Sequence, residues 1–124
     1  MSAERRKHRR VHASLPCLMR GPDRRHEPFD LLDLSESGLR MRCARPLASM
    51  TQVEVDIELP AARIGRDKDV LLRLRGVVVW SRRSPAPAGA QTVPVQAWDT
   101  GVFFPELTRD QVALLLLFVA SEVA

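Results

Sequence analysis

Between residues 52 and 59 the chain alternates without a break: Val53, Val55, Ile57 and Leu59 are apolar, while Glu54, Asp56 and Glu58 are charged. Successive side chains of a strand point to opposite faces, so this stretch predicts a strand half-buried against a core. Asp69 to Arg82 reads as a longer strand, and Gly76 within it predicts a bulge or a barrel bend. A bulge reverses the parity of everything after it, so the pattern leaves the face of Trp80 open. Phe29 to Ser35 also alternates, with Phe29, Leu31, Asp33 and Ser35 on one face and Asp30, Leu32 and Leu34 on the other. After a turn at Glu36-Ser37-Gly38 the alternation resumes, with Leu39 and Met41 on one side and Arg40 and Arg42 on the other. The expectation is a core containing Leu32, Leu34, Leu39 and Met41, and a polar cluster of Asp33, Ser35 and Arg40 outside it.

Two more strands complete the β pattern. Val11 to Arg20 reads as the first, with Pro16 at an edge or bulge position and turn chemistry following at Gly21-Pro22-Asp23. Val95 to Phe104 reads as the last, after a proline-rich connection from Ser84 to Pro94 that has no periodicity. Thr108 and Gln111 have the spacing of a helix capping box, and Asp110 suits the positive end of a helix dipole. The following run, Val112 to Ala120, is apolar on every side and needs cover on more than one face, by plugging a barrel end or by meeting a second copy of the chain. The fold class expected is mainly β: a small six-stranded antiparallel barrel over residues 11–107, a C-terminal helix over 108–124, and a flexible basic arm over 1–10, all one domain.

Charge sharpens this picture at one place. Residues 1–10 carry Arg5, Arg6, Lys7, Arg9 and Arg10 against Glu4, a net of +4 that equals the net charge of the whole chain. Everything after the arm is therefore electrically balanced. A chain of 124 residues with 45% apolar and 27% charged residues is large enough for one core and ordinary for a soluble domain. No apolar segment follows the basic start as in a secretory signal, and no run approaches the roughly 20 apolar residues of a membrane span, so a cytoplasmic protein without membrane insertion is expected. Cys17 and Cys43 are too few and too far apart for a disulfide framework, and His8, His12 and His26 lack ligand spacing with them, so neither metal nor cofactor is expected.

The arm and the turn Asp33-Leu34-Ser35-Glu36-Ser37-Gly38 carry complementary chemistry. Arginine presents a planar fork of donors that matches phosphate oxygens and the O6/N7 edge of guanine. A carboxylate such as Asp33 accepts from the opposite guanine edge, where N1 and N2 carry hydrogens. Ser35 can donate or accept, and Gly38 either takes a positive φ or lets a ligand approach the backbone. Together these residues describe a reader of guanine nucleotides.

With these residues assembled, the chain resembles the PilZ domains, bacterial receptors for cyclic di-GMP. Arg6-Lys7-His8-Arg9-Arg10 is similar to their RxxxR motif and Asp33 to Gly38 to their DxSxxG motif, with 22 residues between Arg10 and Asp33. Val77-Val78-Val79-Trp80, Gly101-Val102-Phe103-Phe104 and the helix after Leu107 resemble the family's later strands and C-terminal helix, so the likeness spans nearly the whole chain. It implies a PilZ-like split barrel in which Arg6 and Arg10 grip phosphate and guanine, Asp33 and Ser35 hold a guanine edge, and Gly38 keeps the loop open. Arg5, just before the motif, implies a stacked pair of cyclic di-GMP molecules per chain, its guanidinium lying over a guanine face. Arg9, Arg40 and Trp80 are further candidates for ligand contact. The implied output is a change of surface as the arm closes on the ligand, relayed to an effector protein in motility, exopolysaccharide or biofilm control.

Other function classes fit less well. An enzyme lacks support, because Asp33 and Ser35 are neighbours on one strand and no histidine is tied to either. A small RNA-binding barrel suits a basic arm, but the neutral body and 5% aromatic residues leave few stacking platforms for nucleic acid. A PilZ-like protein-interaction module without nucleotide binding is the third class, and the presence of both motifs weighs against it.

Overall fold

The computed structural model describes residues 15–84 and 97–121. The unbroken alternation forms strand β5 (Gln52–Leu59), whose four apolar side chains are all buried while Glu54, Asp56 and Glu58 face outward. It is preceded by β1 (Cys17–Arg20), β2 (His26–Pro28), β3 (Asp30–Leu34) and β4 (Gly38–Cys43). After it come the short helix α1 (Ala61–Ile64), the long strand β6 (Val70–Arg83), β7 (Trp98–Phe103) and the helix α2 (Arg109–Ser121). All strand pairs are antiparallel, and the order across the sheet is β2-β1-β5-β6-β7-β4-β3.

That order forces curvature. The two outermost strands, β2 and β3, are joined in sequence by Phe29 alone. From Pro28 to Asp30 the chain spans at most about 7 Å, so the two edges of a seven-stranded sheet must come together. The Phe29 amide donates to the Cys17 carbonyl at 3.3 Å, continuing the β1–β2 ladder, and Arg45 beyond β4 pairs with Glu27 of β2 at 2.8 Å across the closing seam. The result is a curled, barrel-like sheet, with seven strands where the pattern predicts six. The additional strand is β2, a three-residue segment with no apolar alternation that forms because β1 offers it an edge. Its predecessor turn forms as expected, Arg24 N–H donating to the Gly21 carbonyl at 2.9 Å.

Two bulges correct the predicted faces. In the β3–β4 ladder Leu31 pairs with Met41 and Asp33 with Arg40, leaving Leu32 as an extra residue. Leu32 is therefore only partly buried instead of in the core, and Phe29, expected on the Asp33 face, is 2% exposed inside it. In β6 the bulge falls at Val79, not Gly76: Val78 pairs with Val102 and Trp80 with Gly101, whereas the β5–β6 register runs unbroken through Gly76. At the next residue β6 changes partner: Val77 pairs with Gln52 of β5 and with Phe103 of β7. The remaining core expectations hold: Leu34, Leu39 and Met41 are buried with Val55, Ile57, Leu74 and Val78.

Helix α2 begins with the expected capping box, in which the Thr108 amide donates to Gln111 Oε1 at 2.9 Å and the Gln111 amide to Thr108 Oγ1 at 3.1 Å. Leu114, Leu115 and Phe118 enter the core, each contributing about 1.5–3 kcal/mol on burial. The guanidinium of Arg63 in α1 lies 4.1 Å from the Phe118 ring centroid and donates to Ser121 Oγ at 2.7 Å, so α1 clamps the end of α2. Leu116 and Leu117 face outward, each about half exposed. No helix among the described residues is long and apolar enough to cross a membrane.

Candidate functional site

The hairpin of β3 and β4 turns on Ser35. Its amide donates to the Gly38 carbonyl at 3.0 Å, and its hydroxyl oxygen accepts from the Ser37 amide at 3.1 Å. The same hydroxyl lies 3.1 Å from Ser37 Oγ and 3.4 Å from the Gly38 carbonyl oxygen. This serine is buried, and the local bonds of a short polar side chain define the turn. Gly38 does not occupy the left-handed region. A Cβ there would overlap the Val102 carbonyl oxygen and stand 3.2 Å from its carbon and 3.3 Å from Phe103 Cα. The approaching backbone is thus β7, and the glycine is what lets β4 and β7 pair at this point.

From this hairpin a row of side chains crosses four strands. Asp33 pairs with Arg40, Arg40 with Gly101, and Gly101 with Trp80, through β3, β4, β7 and β6. Directly paired residues share a face, and here it is the face turned away from the core, since Leu39, Met41 and Val102 point inward. Arg40 Nε donates to Asp33 Oδ2 at 2.6 Å, with both side chains about a quarter exposed. The predicted association of Asp33 with Arg40 is therefore met, while Ser35 sits apart, turned into the loop. Trp80, whose face the sequence left open, lies on the same face as Asp33 because of the Val79 bulge.

A second row runs alongside: Asp30, Arg42, Asp99 and Arg82. Arg42 Nε donates to Asp99 Oδ1 at 3.0 Å, and Asp99 is only 4% exposed, so the pair is largely out of water. The Arg82 guanidinium lies over the Trp80 ring, 5.1 Å from its centroid, within the range of a cation–π contact. Neither Asp99 nor Arg82 was a sequence candidate; the only available signal was their spacing of two from Gly101 and Trp80, which places them on one face once the register is known. In these two rows three aspartates face three arginines. The platform is electrically balanced, so an anionic ligand would draw its neutralising charge from elsewhere. Arg5, Arg6, Arg9 and Arg10, the sequence candidates for that task, lie outside the described residues.

Elsewhere an open cleft of about 430 Å³ is lined by Arg25, Glu27, Pro28, Ala44 and Arg45. Within it Arg45 pairs with Glu27 and also reaches Asp23. Among the described residues no group of three or more histidine, cysteine or acidic side chains is placed to hold a metal.

The cysteines do not offer a nucleophile. Burial, with a smaller contribution from Asp30, pushes the Cys17 thiol up to about 12, and burial also raises Cys43 despite its contact with Thr100 Oγ1. The thiolate is the reactive form, so at pH 8 only about one Cys17 in ten thousand is reactive. Both thiols are expected to resist an aromatic disulfide reagent in the native protein at pH 8 and to react at once in guanidinium. Fast titration of either thiol under native conditions would contradict the packing described here.

Residues 4–121 match the family model of the PilZ domain. Among solved structures, the PilZ domain of YcgR from Escherichia coli, described with c-di-GMP, aligns with a TM-score of 0.67 at 16% sequence identity, covering 94% of this chain and 90% of that one. No curated protein sequence matches the chain.

Proposed function

The chain belongs to the PilZ domain family, and from that premise we propose that it is a cytoplasmic receptor for cyclic di-GMP, acting by binding and not by catalysis. The observation that carries this reading is the cross-strand row Asp33–Arg40–Gly101–Trp80, which sets a carboxylate, a guanidinium and an indole on one outer face beside the DxSxxG turn. Asp33 takes the Watson–Crick edge of a guanine, Arg40 stands beside it, and Trp80 packs against a base. Ser35 acts by holding the turn, and Gly38 by allowing the strand pairing on which the turn rests. The PilZ domain of YcgR is described with c-di-GMP, and the shared fold supports the same ligand here.

The charge balance of the platform supports a reading in which the arm meets the phosphates. Cyclic di-GMP carries two phosphodiester charges, and the two rows have no net charge to meet them. Arg6 and Arg10 supply it, with Arg9 as a further contact. The described chain begins close to β3, since the Pro16 and Cys17 carbonyls accept from the Glu58 and Phe29 amides, which supports a contact from the residues that precede them. Arg5 lies over a guanine of a second, stacked ligand, giving two molecules per chain. Closure of the arm creates the surface read by an effector protein in motility, exopolysaccharide or biofilm control, and the outward Leu116 and Leu117 offer a contact for a second copy.

Calorimetric titration with cyclic di-GMP, using GTP and cyclic di-AMP as controls, tests the reading. Saturable binding of two ligands per chain is expected, with no comparable heat from the controls. One ligand per chain would keep the receptor and remove the Arg5 stack. No heat and no competition at high ligand concentration would leave a protein-interaction module.

A further inference from the structure

In the row Asp33–Arg40–Gly101–Trp80 the third position carries no side chain. Adjacent strands lie about 4.8 Å apart, so a side chain on β6 stands roughly 14 Å from Asp33 on β3, with β7 and β4 between. An indole upright on its own strand is too distant to share a purine with the Asp33 carboxylate. The Trp80 ring does not stand upright. A Cβ built on Gly101 would lie 3.0 Å from Trp80 Cζ2 and closer still to Nε1 and Cε2. The indole therefore occupies the volume that a side chain at 101 would fill, one strand nearer to Arg40 and Asp33.

We infer that Gly101 is a positioning residue for the nucleotide: its missing side chain is the seat that leans Trp80 across β7 toward the Asp33–Arg40 pair. The inference rests on the receptor reading for its ligand, while the seat itself rests on the register and on the overlap just described. The overlap is with a side chain and not with backbone, which separates Gly101 from Gly38. A methyl group at 101 displaces the ring; a methyl group at 38 displaces a strand. Arg82, two residues along β6 and over the ring, moves with the indole.

The consequence is a specific pattern of coupling. The chain has two tryptophans, so Trp98→Phe isolates Trp80 as the emitting residue. In that background Gly101→Ala is expected to increase quenching of Trp80 by acrylamide in the absence of ligand and to raise the Kd for cyclic di-GMP about tenfold. On a Trp80→Ala background Gly101→Ala is expected to cause no further loss, because residues that act through one another are non-additive. The same double variant guards against misfolding: removing the ring removes the overlap, so Trp80→Ala restores the Tm that Gly101→Ala lowers. Unchanged Trp80 quenching in Gly101→Ala overturns the seat, and so does a tenfold loss that persists without the indole. Failure of the wild-type chain to bind cyclic di-GMP overturns the receptor reading and the nucleotide role of Gly101 with it, and is distinguished by an intact quenching difference.

Discussion

Replacing Asp33 by asparagine is expected to weaken cyclic di-GMP binding about a hundredfold while leaving the Tm of the free protein within a few degrees of wild type. Guanine presents two donors on its Watson–Crick edge, N1–H and N2–H, and a carboxylate answers both. It has about four acceptor positions in all, enough for the Arg40 bond at 2.6 Å and for the base together. Hydrogen bonds to a charged partner contribute about 1.5–3 kcal/mol each, and an unanswered donor held out of water adds its own cost. Asparagine supplies one acceptor and turns an N–H toward the other donor, so a loss of ~3 kcal/mol follows, which is about a hundredfold in Kd. Asp33→Ala should lose somewhat less, because it removes the acceptor without adding a repelling donor and releases Arg40 toward the phosphates. Stability moves little, since the Asp33–Arg40 pair is part-exposed and such pairs contribute at most about 1 kcal/mol. Calorimetry on the two variants checks the first statement and thermal unfolding the second. Binding within threefold of wild type in Asp33→Asn would remove Asp33 from the guanine edge.

The second large effect is on stability and needs no ligand. Gly38→Ala places a methyl group against the Val102 carbonyl, and the atoms next nearest to it are also backbone of β7. A flexible side chain could swing away; a paired strand cannot. Relief requires separating β4 from β7 at their first pair, Gly38 with Phe103, where the Ser37 carbonyl also accepts from the Phe104 amide at 3.0 Å. Overpacking of this kind commonly costs 1–3 kcal/mol, and the loss of turn bonds places this case near the upper end, at about 2–3 kcal/mol. For a domain of this size that is a fall of about 10 °C in Tm, measured on the free protein. If Gly38→Ala instead keeps the wild-type Tm and loses only cyclic di-GMP affinity, the glycine serves the ligand and not the strand pairing.

These two residues belong to the same short motif, yet the effect expected of one is chemical and that of the other steric. The sequence by itself carried the chemistry. Side-chain alternation identifies β5, the inward Leu39 and Met41 and the outward Arg40, because the period of two is a property of the extended backbone. The Thr108–Gln111 capping box is equally local, and its two hydrogen bonds form as its spacing predicts. Donor and acceptor inventories single out Asp33 and the arginines as candidates for a guanine reader before any fold is known. The arm that holds most of those arginines lies outside the described residues, so the sequence remains the whole basis for its role.

The tertiary structure decided whatever depends on register and on closure. Leu32 and Phe29 exchange their predicted places because one extra residue in β3 reverses parity, and alternation alone cannot locate a bulge. The same uncertainty left Trp80 unassigned until the bulge at Val79 put it in line with Asp33. Strand β2 has no hydrophobic signature; it exists because β1 had an open edge and the sheet had to return to β3 across a single residue. Gly101 is the clearest case. In the sequence it is one glycine in a strand, and only the alignment of four strands gives its missing side chain a neighbour to accommodate. Local patterns report what each backbone segment prefers, whereas the site is a row of residues far apart in sequence, set by pairings that no single segment contains.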